Sequence, residues 1–161
     1  MHNSPKIILL CGPPCSGKST WLKQNNQENL DVLSTDNFIE EEAKKLGKTY
    51  NEGFYELISP ALSKLVEDLE LYTQEKRSFI VDQTNVNSKS RRKKLRYCQD
   101  YYKIAVYLEV PLEIILQRNT QRPGKVVPEY VINSMIESYQ RPTIEEGFDL
   151  ILDGVTSFSG T

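Results

Sequence analysis

The chain has 161 residues, 39% hydrophobic and 26% charged, with a formal net charge of −2. That length supports one domain with a real core. The charge excludes a protein that coats nucleic acid by bulk electrostatics, although a local basic patch stays open. No apolar run approaches the roughly eighteen residues of a membrane span.

In chain order, Met1-His2-Asn3-Ser4-Pro5 leads directly into an expected strand, Lys6–Cys11, without the pattern of a secretory leader. Gly12-Pro13-Pro14-Cys15-Ser16-Gly17-Lys18-Ser19 follows and fits G-x-x-x-x-G-K-[ST] at every position. Such a loop surrounds an anion with backbone N–H groups at a helix start, where the partial positive charge of the helix end adds to them. Gly12 and Gly17 suit a tight turn and close approach to phosphates. Gly12 through Thr20 are therefore the candidate triphosphate contacts (Gly12, Pro13, Pro14, Cys15, Ser16, Gly17, Lys18, Ser19, Thr20), with Lys18 reaching the β- and γ-phosphate oxygens and Ser19 ligating Mg²⁺.

Further strands are expected at Asp31–Ser34, Ser78–Asp82, Lys103–Leu108 and Phe148–Leu152, alternating with helical stretches. That alternation argues for an α/β fold, a parallel sheet of four to five strands with helices on both faces. Phe54, Leu57, Ile58, Ala61, Leu62, Leu65, Val66 and Leu69 follow helical spacing as a core stripe. Pro60 interrupts it, which predicts a kink or a new helix capped by Ser59. Pro111 and Pro128 are each expected to open a helix. The first carries Leu112, Ile115 and Leu116, the second Val131, Ile132, Met135, Ile136 and Tyr139.

Four groups carry candidate chemistry. Asp36, just past a strand tip, reads either as a general base for an acceptor hydroxyl or as a helix N-cap. Asp82 ends Phe79-Ile80-Val81 and reads as a Mg²⁺ partner beside Ser19, the alternative being a turn residue. Arg118 and Arg122, four apart before Pro123-Gly124-Lys125, read as a lid over a transferring phosphoryl group or as cations at a helix end. Lys89, Arg91, Arg92, Lys93, Lys94 and Arg96 form a basic cluster, either a solvated helix face or contacts to nucleic-acid phosphates. Three cysteines (Cys11, Cys15, Cys98) lack metal-site spacing, and His2 is the single histidine, so zinc is not expected and a reducing cytoplasm is. Cys15 reads as a small tolerated side chain or a redox-sensitive thiol.

Taken together, the chain resembles the polynucleotide 5′-hydroxyl kinase branch of the P-loop NTPase kinases. The resemblance is carried by Gly12–Trp21, Ser34-Thr35-Asp36, Phe79–Arg92 with its Asp82-Gln83-Thr84-Asn85 core, Arg118-Asn119-Thr120-Gln121-Arg122, Gly124–Pro128 and Arg141–Phe148. It implies a single ATP- and Mg²⁺-dependent kinase domain over residues 1–161 with a mobile helical lid. Lys18, Asp36, Arg118 and Arg122 are its implied catalytic residues, Asp36 as base, and Ser19 and Asp82 serve the metal. The implied acceptor is the 5′-hydroxyl of single-stranded DNA or RNA. Two departures stand out: Thr35 and Ile39 occupy places where relatives often carry arginines, and Gln83 stands where an acid or Asn is common. A kinase of nucleosides or other small metabolites and a non-catalytic RNA-associated nucleotide-binding module remain as alternatives. No membrane partner is expected, and the oligomeric state is left open.

Overall fold

A computed structural model describes residues 4–155; His2 lies outside the described residues. Five parallel strands lie in the order β2-β3-β1-β4-β5: β1 Lys6–Cys11, β2 Asp31–Leu33, β3 Phe79–Asp82, β4 Tyr102–Tyr107 and β5 Leu150–Asp153. The helices are α1 Lys18–Asn25, α2 Thr35–Lys45, α3 Tyr50–Gln74, α4 Ser88–Leu95, α5 Leu112–Asn119 and α6 Glu129–Ser138, with a 3₁₀ turn over Ile144–Glu146. The expected strands are all present, with ends moved by one or two residues. Ser34, for instance, leaves β2 because its side chain caps α2, accepting from the Asn37 amide.

The centre of the sheet is β1, whose Ile8 registers with Ile80 on one side and Ile104 on the other. A parallel strand buried on both faces reads as a continuous apolar run, and Ile7, Leu9 and Leu10 are fully buried. One face packs Leu9, Phe79 and Val81 against Leu65 and Leu69 of α3 and Leu95 of α4. The other packs Leu10, Ile80 and Val106 with Trp21 and Leu22 of α1. The result is the α/β P-loop architecture. All strand C-termini point to one end, where ligands collect in open parallel sheets.

At Pro60 one of the two alternatives is excluded, and one expectation about the core is corrected. α3 runs unbroken through Pro60, so no second helix starts at Ser59. Pro60 is exposed, as is Glu56, so the carbonyl that loses its helical donor can turn to water. The core stripe is also narrower than periodicity suggested. Leu57, Ala61, Leu65 and Leu69 are buried, whereas Leu62 and Val66 are exposed, as is Leu112 on α5. Phe54 and Ile58 are half-buried and pack beside that row against α2. The helices after Pro111 and Pro128 form as expected, each proline standing at the cap.

Candidate active site at the phosphate loop

The loop between β1 and α1 is shaped by its backbone. Gly17 caps α1 with φ +101°, and Cys15 adopts φ +68°, a left-handed geometry uncommon for a side-chain-bearing residue. Gly12 is glycine for a different reason: a Cβ there would lie 2.6 Å from Ser16 Oγ and 2.9 Å from the Leu108 carbonyl oxygen. The Gly12 amide donates to the Thr84 carbonyl (2.8 Å), which ties the loop to the segment after β3. Lys18 Nζ donates back to the carbonyls of Gly12 (2.9 Å) and Pro13 (3.0 Å). Burial holds this ammonium below the ordinary lysine range, with Asp82 and Asp36 opposing that shift.

Three observations test whether this loop suits a polyphosphate. No side chain caps α1, and its first turn carries no acid, so its amides remain open to an anion. Ser16 Oγ is buried without a hydrogen-bond partner among the described residues. Lys18 supplies a positive charge at the same point. The residues therefore fit the phosphates of a nucleotide.

For a metal, no group of three or more His, Cys, Asp or Glu side chains gathers among the described residues. Mg²⁺ typically binds through one or two protein ligands plus substrate phosphates, and Ser19 and Asp82 line the same cleft. Burial raises the Asp82 carboxyl above the ordinary value, against the pull of Lys18, which is the environment of a carboxylate that gains from a nearby cation.

The cleft encloses about 700 Å³ and brings together Lys18, Ser19, Thr20, Asp36, Asp82, Arg118 and Arg122. Asp36 is not the N-cap of α2, since Ser34 holds that place; it is the second helical residue. Its Oδ1 accepts from the Tyr50 hydroxyl at 2.7 Å, and its Oδ2 lies 3.8 Å from Lys125 Nζ. Both arginines meet one residue of the loop: Arg118 Nη1 donates to the Cys15 carbonyl (3.0 Å) and Arg122 Nη1 contacts Cys15 Sγ (3.2 Å). They do not share a helix face, because α5 ends at Asn119 and Arg122 lies in the following turn. Cys11 and Cys98 are buried, which pushes each thiol up to about 12.

The basic cluster divides in two. Arg91 is fully buried and clamps Glu146 through Nε (2.7 Å) and Nη2 (3.0 Å), while Nη1 donates to the Asn85 carbonyl (2.8 Å). Lys94 donates to Asn85 Oδ1 (2.7 Å), and burial lowers its ammonium to about 8. Neither belongs to a solvated face or a nucleic-acid surface. Lys89, Arg92, Lys93 and Arg96 do remain exposed.

Sequence reasoning missed several residues of the cleft: Asn37, Glu40, Tyr50, Phe54, Ile58, Lys125 and Met135. The one local signal was Thr49-x-x-Glu52, a capping box that sets Tyr50 as the first residue of α3. Thr35 and Gln83, noted as departures, turn out to be partners: Gln83 Oε1 accepts from the Thr35 amide (2.8 Å) and hydroxyl (3.0 Å). That pair joins the ends of β2 and β3 beside Asp36. Ile39 is core.

A family model described as an AAA domain matches residues 7–142. The chain belongs to this AAA-domain family. It is 31% identical over 153 residues to the L-seryl-tRNA(Sec) kinase of Methanococcus maripaludis, covering 89% of this chain and 56% of that protein. It is 29% identical over 150 residues to human heterogeneous nuclear ribonucleoprotein U-like protein 2, covering 85% of this chain and 20% of that one. The chain thus spans little more than half, or less, of these relatives. A candidate kinase from Chloroflexus aurantiacus shares the fold with a TM-score of 0.70 at 18% identity, over 97% of this chain and 91% of that one. No helix among the described residues is long and apolar enough to cross a membrane.

Proposed function

We propose that this AAA-domain protein is an ATP-dependent kinase that transfers a γ-phosphate to a hydroxyl acceptor, in which Ser19 and Asp82 would hold Mg²⁺ and the metal would neutralise charge on the phosphates. The carrying observation is that Asp36, just past the end of β2, and the phosphate-loop lysine, Lys18, just past the end of β1, line one cleft. In this reading the acceptor hydroxyl gives its proton to the Asp36 carboxylate while its oxygen bonds to the γ-phosphorus. The bond from that phosphorus to the β,γ-bridging oxygen breaks, and ADP leaves. Lys18, Arg118 and Arg122 stabilise charge on the transferring group. Both the name of the archaeal relative and the intact Lys18, Ser19 and Asp36 support this reading.

The acceptor we favour is the hydroxyl end of a nucleic acid, a 5′-hydroxyl terminus of DNA or RNA, with exposed Lys89, Arg92 and Lys93 on α4 available to backbone phosphates. A second reading, a small uncharged hydroxyl metabolite, draws support from the local charge. Beside Asp36, Lys125 is already paired with Glu40, and Thr35 and Ile39 supply no arginine. The free thiols Cys11, Cys15 and Cys98 accord with work in a reducing cytoplasm.

The test is transfer from γ-labelled ATP to 5′-hydroxyl oligonucleotides and, in parallel, to nucleosides and sugars. The parent chain is compared with Asp36→Asn, which should lose at least about 100-fold in kcat with ATP binding retained. Equal rates in parent and variant would remove Asp36 from the chemistry. Binding of ATP and RNA without turnover on any acceptor would point to a scaffold module instead.

A further inference from the structure

Tyr50 sits where three parts of the molecule meet. As first residue of α3 it is fixed by the Thr49–Glu52 capping box. α3 itself is locked to α2 by Ile39, Ala43, Leu57 and Ala61, and at Gly53 a Cβ would lie 3.0 Å from that of Ala43. The third part is the lid. Asn51, the next residue, pairs in both directions with Val126 (Nδ2 to the carbonyl 2.9 Å, amide to Oδ1 2.8 Å), and its own amide donates to the Gly124 carbonyl (2.8 Å). Lys125, between those two lid residues, lies 5.1 Å from the centre of the Tyr50 ring and bonds Glu40.

We infer that Tyr50 is a positioning residue for phosphoryl transfer: its hydroxyl, donating to Asp36 Oδ1 at 2.7 Å, holds the carboxylate so that Oδ2 is the oxygen offered to the acceptor. The inference rests on Asp36 acting as the base, as proposed above. Burial and the neighbouring Asp36 charge keep this phenol above its ordinary pKa, so it is a donor throughout the working range. A hydrogen bond to an ionised carboxylate is among the stronger ones and fixes direction as well as distance. Oδ2 accepts no hydrogen bond from the described residues; its charged neighbour is Lys125 at 3.8 Å. Without the phenol, the hydrogen bond that restrains the carboxylate against rotation toward that ammonium is lost, and a tight ion pair there would remove the proton acceptor from the hydroxyl. The lid contributes by stacking Lys125 on the ring and anchoring it to Glu40, which keeps the ammonium outside hydrogen-bond range of Asp36.

The test uses the full chain with Mg·ATP, measuring γ-phosphate transfer to a 5′-hydroxyl oligonucleotide, to a nucleoside panel and to water, in parent, Asp36→Asn and Tyr50→Phe. Phenylalanine keeps the ring and deletes only the hydroxyl. Misplacement of a reacting group by an ångström costs up to about 100-fold, so a bond that restrains one torsion should be worth about tenfold. The expected result is a kcat lower by about tenfold in Tyr50→Phe, with the KM for ATP within about twofold and an unchanged melting temperature. A Tyr50→Phe kcat within twofold of the parent, alongside an inactive Asp36→Asn, overturns the inference and leaves the base in place. A fall in kcat matched by lost ATP affinity marks a purely structural role and also overturns it. Full activity of Asp36→Asn, or no transfer to any acceptor, overturns the base assignment and this inference with it.

Discussion

Replacing Arg91 by alanine should unfold this protein at a much lower temperature, whereas the same change at Arg92 should scarcely matter. Arg91 makes three hydrogen bonds with no exposed surface, two of them a bidentate grip on Glu146. Truncation strands the Glu146 carboxylate, whose side chain is 14% exposed, and leaves the Asn85 carbonyl without that donor. Removing one partner of a buried pair costs roughly 3–5 kcal/mol. Glu146 keeps its bond from the Thr143 amide (2.9 Å), so the lower end, about 3 kcal/mol, is expected. For a domain of this size that corresponds to a melting temperature lower by about 6–12 °C. Arg92 is exposed, and its loss should cost no more than about 0.5 kcal/mol. The pH dependence has a definite sign. Burial raises the Glu146 carboxyl, but the Arg91 bond and the Thr143 amide outweigh it and hold the group below its ordinary value. Its contribution is therefore complete above the unfolded value of about 4.3 and is lost as pH falls through the lower folded value. The gap between parent and Arg91→Ala should narrow below about pH 4. Thermal melts of both variants across pH 3–8 are the assay, and equal shifts for Arg91→Ala and Arg92→Ala at pH 7 would refute the reasoning.

Gly12→Ala should weaken ATP binding by at least about tenfold, because its Cβ would press on Ser16 Oγ and the Leu108 carbonyl and displace the loop that is to hold the phosphates. Trp21, half-buried in α1 just after the loop, offers an intrinsic fluorescence readout, and binding within twofold of the parent would count against this loop as the phosphate seat. Lys94 is lowered by burial to about 8. Between about pH 8 and the unfolded value near 10.4 the unfolded chain binds the extra proton, so stability gained at this site rises with pH across that window. Relative to Lys94→Met, the parent should gain melting temperature from pH 8 to pH 10; parallel profiles would show that Lys94 titrates normally.

Much of the site was legible because its chemistry is local. The spacing from Gly12 to Ser19 fits a particular turn, and a short apolar run before it reads as a buried strand. Asp82 at a strand tip and Asp36 one turn past another follow from the same logic, since parallel strands deliver their C-terminal neighbours to one end of the sheet. What stayed hidden depends on contacts between distant segments. Tyr50 is fourteen residues from Asp36, and Asn51 is seventy-five from Val126. No periodicity links such positions. Arg91 shows the limit most clearly: it sits in a run of cations that composition assigns to solvent, yet it is the largest fully buried side chain.

By itself, then, the order of residues determined a parallel α/β sheet, a phosphate loop at the first strand's end and two acids at neighbouring tips, because hydrophobic period and turn chemistry act over a few residues. Which cations are buried, which oxygen of Asp36 is engaged, and how the segment 124–126 reaches α3 were decided only by tertiary packing. Those outcomes depend on desolvation, and a charge is desolvated by whatever the fold brings beside it, not by its neighbours in the chain.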